Sequence, residues 1–375
     1  MRNKVFFLIL AAFCFSLMVS LFEGNVYRGA VLVCLLALLF KQLPKRLPFT
    51  MLSAAVVFFS LYFLAHMLFL NPRYRPAGIY QPLYLLLPFV VFSCIEKETV
   101  KRTFKYGVFV LLLLSFWGLL QHFTGLGVIV YMGGRANAIF YTSNTFATAI
   151  NLFLLPAIVF YACGRGTKKV FLCVLIFYAA LLATSSRGGY LALATGFLFL
   201  ISFLRWQLIK EFKQRFLRVI LGLAGVTMIF RLLGSTGFSN WDTERVVDIF
   251  KHGEFNRIVL YNIAWKLIKE NPLWGVGNFN FNSLFNIYKT PPFLDSTTNF
   301  VHNDYLQFWL ENGIIGPLAL LGIIVSFYFG VFKLRGKIVR QSSPVIIMAG
   351  AAVTSIFAHA VVDFPLYIPA LLVVL

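Results

Sequence analysis

The chain has 375 residues, 60% of them hydrophobic and only 12% charged, with a mean hydropathy of +0.83. Soluble domains carry about 25% charged residues, so a water-soluble globule is excluded and a bilayer is the implied solvent. The formal net charge of +20 would suggest nucleic acid in a soluble protein. In a membrane protein it follows from Lys and Arg collecting in cytoplasmic loops, and no nucleic-acid partner is expected.

Apolar runs of about 20 residues are long enough to cross the hydrocarbon core as helices. In chain order they lie near 5–22, 26–40, 49–70, 79–95, 106–123, 143–163, 170–185, 189–204, 217–234, 312–332, 344–361 and 364–375, the last cut short by the chain end. The fold class is therefore all-α: a polytopic transmembrane helical bundle of about 12 spans. Arg2 and Lys4 precede the first run, but it is too long for a signal peptide and no Ala-x-Ala-like site follows it; it is expected to stay. The five cysteines form no Cys-x-x-Cys pair and read as small buried apolar residues.

Alternate loops differ sharply in charge. One set holds Lys41, Lys45 and Arg46, then Lys97, Lys101, Arg102 and Lys105, then Arg165, Lys168 and Lys169; later members hold Lys210, Lys213, Arg215, Lys333 and Arg335. The short loops of the other set hold only Arg28, Arg73, Arg75, Arg135 and Arg187. By the positive-inside bias the N-terminus is cytoplasmic. The expected organisation is spans one to nine in 1–234, an extracytoplasmic loop at 235–303, and spans ten to twelve in 304–375. Long loops of that kind are usually functional.

His66 is the main ionisable residue inside a span, and a hydrogen-bonded core histidine is its plain reading. With so few ionisable groups at mid-membrane, the chemistry is expected on the outer face. Ser185-Ser186-Arg187-Gly188-Gly189-Tyr190 joins two spans with scarcely any loop. Arg187 either snorkels to phospholipid headgroups or presents its fork to an anionic substrate headgroup, which Lys does less well. Within the long loop, 256–270 reads as an amphipathic helix with Ile258, Tyr261, Trp265 and Ile268 in one stripe. Arg257 stands at its start, where backbone amides also favour an anion. Gly275-Val276-Gly277 lacks the third glycine of a dinucleotide fingerprint and reads as a turn.

Val301-His302-Asn303-Asp304-Tyr305 then leads into span ten. Histidine titrates near neutrality, and sugar transfer to a hydroxyl calls for a base. His302 is the candidate, with Asp304 considered as its orienting carboxylate. No set of metal ligands stands at a suitable spacing.

His302-Asn303-x-x-Leu306 followed by Gly313, Arg187-x-x-x-Leu191, and the run from Arg257 through Trp265, Asn271, Pro272, Gly275 and Gly277 resemble motifs of the O-antigen ligase and polymerase superfamily, the Wzy/WaaL type of bacterial membrane enzyme. Arg135, Phe140, Asn144 and Ala147 resemble a further segment, with Ala138 where glycine is expected and Ser143 where proline is expected. Asp363-Phe364-Pro365 is similar to that family as well.

The resemblance implies a bundle of the GT-C type with one large, partly helical periplasmic loop, in the bacterial inner membrane. It implies a glycosyltransferase, acting without metal or other cofactor in lipopolysaccharide biosynthesis, whose donor is a glycan on undecaprenyl diphosphate. Arg187 and Arg257 would bind the diphosphate and His302 would be the catalytic base, with Asn303, Asp304, Tyr190 and Arg135 in supporting roles. An O-antigen ligase would use the lipid A core as acceptor and a polymerase a growing glycan; ligase is the preferred expectation. A lipid-linked glycan transporter or flippase is the reading from another class, opposed by the apolar midplane and the lack of an evident internal repeat.

Overall fold

The computed structural model describes residues 50–70, 97–126, 135–203, 206–234, 254–289, 298–341 and 344–368, with scattered positions in 31–37 and 83–93. All regular structure in these residues is helical: α1 Met51–Ala65, α2 Lys97–Thr124, α3 Ser143–Ala162, α4 Lys168–Ala183, α5 Arg187–Phe203 and α6 Trp206–Gly234. There follow α7 Glu254–Glu270, α8 Phe281–Tyr288, α9 Asp304–Asn312, α10 Ile315–Gln341, α11 Val345–His359 and a 3₁₀ turn at Pro365–Tyr367. The run predicted near 5–22, and most of those near 26–40 and 79–95, lie outside the described residues, as does 369–375.

Five of these helices are long and apolar enough to cross a membrane: Met51–Leu68, Glu98–Thr124, Ser143–Ala162, Lys213–Leu233 and Ile315–Leu334. Three runs predicted as spans form shorter helices, with 16 residues in α4, 17 in α5 and 15 in α11, below the length of about 20 that a perpendicular crossing takes. The chain divides into two compact units, one of residues 1–103, 249–330 and 360–374, the other of 104–248 and 331–359 with residue 375.

In the first unit, α1 begins with a capping box in which Thr50 and Ser53 satisfy each other's backbone amides. Its Phe59 and Phe63 rings meet Phe308 of α9 edge-on, with centroids 5.5 Å and 5.3 Å apart. Tyr62 donates to the Asn312 carbonyl at 2.7 Å. The buried His66 hydrogen-bonds through Nε2 to the Trp274 carbonyl, the core-histidine reading made specific. A second core joins α7 and α9: Leu260, Ile263, Ala264 and Leu267 pack with Phe281, Phe285, Val301 and Leu310.

That core corrects the predicted stripe of α7. The buried face runs through Leu260, Ile263, Ala264, Leu267 and Ile268, while Ile258 and Trp265 are exposed. Both faces of this helix are partly apolar, so periodicity alone does not choose between them. The Gly275–Gly277 segment is a turn, as expected, and it has a structural task. The Val276 and Gly277 amides donate to the carbonyls of Leu310 and Glu311 at 2.8 Å and 2.9 Å, satisfying acceptors left open at the C-terminal end of α9.

In the second unit, α3 is buried along nearly its whole length and packs with α4, α5 and α11. Small residues bring the backbones close, as is usual between membrane helices. A Cβ on Gly196 would come within 2.4 Å of Leu155, one on Gly189 within 2.7 Å of Ala147, and one on Gly350 within 2.4 Å of Phe199.

Gly313 ends α9 at φ +65 and ψ −170, a region open essentially to glycine alone. A Cβ there would fall 1.8 Å from the Leu273 carbonyl oxygen. Gly313→Ala should therefore destabilise the protein by more than about 1–3 kcal/mol, seen as a lower melting temperature in detergent. An unchanged melting point would show that the Leu273–Gly313 crossing is not required.

Candidate functional site

His302 lies at the mouth of α9, and several contacts fix it there. Its φ is +61, an uncommon conformation for a side chain other than glycine. The neighbours hold the bend: Val301 donates its amide to Gln307 Oε1 at 2.7 Å, and the Tyr261 hydroxyl donates to the His302 carbonyl at 3.0 Å. Asn303 accepts the Leu306 amide at 3.1 Å and so caps α9. In this structure Asn303 acts as the N-cap of α9.

The His302 ring keeps 29% of its side chain exposed and places Nδ1 3.0 Å from Asp363 Oδ1, whose own side chain is only 6% exposed. A carboxylate accepts only, so Nδ1 is the donor, and in the neutral ring the lone pair is on Nε2. Phe364 supports the ring edge-on at 4.9 Å. Asp304, considered above as the orienting acid, does something else. It is buried, its amide donates to the Ala360 carbonyl at 2.8 Å, and its carboxylate accepts the Leu366 amide at 2.9 Å. Residues i and i+2 at a helix start point to different sides, so the carboxylate reaches the chain segment behind His302 instead of its ring.

Two turns further along the same face of α9, Glu311 accepts from Gln307 Nε2 at 2.6 Å, the Phe279 amide at 3.0 Å and the Tyr367 hydroxyl at 2.9 Å. Asp304 and Glu311 thus both grip 366–367, three or four residues beyond Asp363. Burial pushes the Asp304 carboxyl well above the usual range and the Glu311 carboxyl up to about 8.

Arg257 lies in the first turn of α7, one turn before Tyr261. Burial raises the Tyr261 phenol, the Arg257 guanidinium pulls it back and the Asp363 carboxylate raises it further. Both charges are therefore within electrostatic reach of the hydroxyl that holds His302. This unit brings Arg257, Tyr261, His302 and Asp363 to one locality.

Arg187 and Arg135 belong to the other unit. The exposed Arg187 opens α5, and the Ser186 hydroxyl just before it accepts the Gly189 amide at 3.1 Å. That hydroxyl also donates to Asn144 Oδ1 at 2.8 Å. The same oxygen accepts Arg135 Nη2 at 2.9 Å, while Arg135 Nε donates to the Thr184 carbonyl at 2.9 Å. Arg135 and Asn144 thus brace the turn that presents Arg187. Tyr190 turns back to donate to the Leu182 carbonyl at 3.2 Å, which ties α5 to α4.

The two departures in this segment also have reasons. Ala138 has φ +49, where glycine is the easy residue, and the buried Gln121 amide holds it by accepting its N–H at 2.8 Å and donating to its carbonyl at 2.9 Å. Ser143 is the first residue of α3, after the Thr142 cap, a position that proline also favours.

Asp363, Tyr261, Gln307 and Glu311 were not singled out as site residues from sequence. The signal for Asp363 was its place in Asp363-Phe364-Pro365; the others carry none, because their partners lie up to 56 positions away.

Glu311→Gln keeps the shape of the neutral acid, with its amide donating toward Tyr367. A carboxyl whose folded pKa lies above its unfolded value stabilises most at low pH and loses that stability as pH rises through the folded value. Melting temperature should therefore fall between about pH 4.5 and 8 in the wild type and fall less steeply in Glu311→Gln. Identical slopes would remove Glu311 from the titration.

Residues 171–321 match the Wzy_C family model, described as O-antigen ligase. No curated protein matches the chain.

Proposed function

Since residues 171–321 are a domain of the O-antigen ligase and polymerase superfamily, whose members are glycosyltransferase-like enzymes of O-antigen biosynthesis, we propose that this membrane protein transfers a glycan from undecaprenyl diphosphate to an acceptor hydroxyl on the periplasmic side of the inner membrane. The observation that carries the reading is the Asp363–His302 pair at 3.0 Å, with Arg257 close by. In this reaction His302 Nε2 takes the proton of the acceptor hydroxyl as its oxygen attacks the anomeric carbon. The sugar–phosphate bond breaks, and the electron pair leaves with undecaprenyl diphosphate. Asp363 stabilises the imidazolium that forms, as in other acid–histidine pairs. Arg257 and Arg187 bind the diphosphate and offset the charge that grows on it. The matched family takes in ligase- and polymerase-type enzymes; the reaction proposed for this chain is that of a ligase, with the lipid A core as acceptor, membrane lipids as the surrounding partner and no metal taking part.

Transfer by membranes of a deletion strain complemented with each variant tests this. His302→Ala should abolish transfer at unchanged protein level, and Asp363→Asn should lower it by about 10²- to 10⁴-fold. Full activity in His302→Ala would remove the base from the mechanism. Arg257→Lys and Arg187→Lys should impair turnover, because a point charge lacks the bidentate fork, and chelator should change nothing. Polymerised glycan left on its lipid carrier in the deletion strain means ligase; glycan capped at one repeat means polymerase.

A further inference from the structure

Three of the six tryptophans, Trp265, Trp274 and Trp309, gather around Pro272. Trp265 and Trp309 meet edge-to-face with centroids 5.6 Å apart, and Trp309 Nε1 donates to the Pro272 carbonyl at 3.2 Å. Leu273 and Trp274 follow at once and are 60% and 55% exposed, although they are large and apolar. Ile258 and Trp265 are exposed too, on the outer face of α7. Lys269 lies 5.8 Å from the Trp265 ring centre, and Lys266 lies 4.4 Å from that of Tyr288.

The position of this elbow along the membrane normal follows from its bonds. The Trp274 carbonyl is bound by His66, which stands within the last turn of the candidate span Met51–Leu68. The Pro272 carbonyl also accepts the amide of Ile314 at 3.0 Å, and Ile314 directly precedes the candidate span Ile315–Leu334. One span ends where the other starts, as for neighbours that cross in opposite directions, and Leu273–Trp274 is tied to both. Its exposed side chains therefore stand where the hydrocarbon core gives way to headgroups. Indole rings favour that boundary, being apolar with one polar N–H, and Lys reaches phosphates from it.

We infer that the Leu273–Trp274 elbow, with Trp265 and Trp309 beside it and Lys269 at its rim, is seated among the phospholipid headgroups and moors the His302-bearing unit to the bilayer surface. His302 sits at the opposite end of α9 from this elbow. A nine-residue helix is about 13 Å long, so the mooring holds the imidazole close to the plane of the headgroups. The inference does not depend on the reaction proposed above; it requires only that the two spans cross a bilayer.

The full-length protein, reconstituted in vesicles of phosphatidylethanolamine and phosphatidylglycerol, provides the test through its tryptophan emission. The difference between wild type and Trp274→Phe isolates one indole, and Trp265→Phe provides a second reading should the first variant fold poorly. The isolated emission should be blue-shifted, should fall when phosphatidylcholine brominated high on its acyl chains is included, and should resist aqueous acrylamide. Emission quenched by acrylamide and indifferent to the brominated lipid would place the elbow in water and overturn the inference. Emission indifferent to both would place it against protein, such as a second copy of the chain, and overturn it equally. Glycan transfer is not read in this assay, so a failed reaction mechanism and a failed mooring remain distinguishable.

Discussion

The hydrogen bond from His302 Nδ1 to Asp363 Oδ1 is the interaction on which the candidate site depends, and neither partner holds it unaided. His302 sits at a positive φ, and Asp363 belongs to an irregular stretch between α11 and the 3₁₀ turn. Both are held through α9. Its N-terminal end carries His302 and the Asn303 cap, and two acids on one of its faces, Asp304 and Glu311, bind Leu366 and Tyr367. A nine-residue helix thus positions an imidazole directly and its carboxylate partner indirectly.

That arrangement puts carboxyl groups in a buried setting, which is costly unless they are neutral or well supplied with donors. Glu311 has three donors, and burial pushes its carboxyl up to about 8. Asp304 has two backbone ties, one through its amide and one through its carboxylate. The other unit fixes its turn with uncharged acceptors instead: Asn144 and the Thr184 carbonyl immobilise Arg135 beside the segment that presents Arg187. In both units a guanidinium stands at the first turn of a helix, where backbone amides point outward.

Much of this was legible in the residues. The apolar runs near 106–123, 143–163, 217–234 and 312–332 correspond to helices long enough to cross a membrane, because about 20 consecutive apolar residues have few other uses. The segment around His302 and the stretch Asp363-Phe364-Pro365 were both marked by their likeness to one family, although the short helix α9 between His302 and Gly313 was not foreseen. Ala138 and Ser143, which looked like departures from the family pattern, occupy a left-handed residue and a helix first position, where the expected glycine and proline have obvious uses.

The sequence by itself determined the solvent, the helical class and the residues with chemical potential, because those follow from composition, run length and local spacing. Tertiary structure alone decided which face of α7 is buried, and that Asp363 takes the place beside His302 while Asp304 turns to Leu366. The reason is distance along the chain. Pairing between residues about 60 positions apart is set by packing of whole helices, whereas periodicity and capping reach only a turn or two.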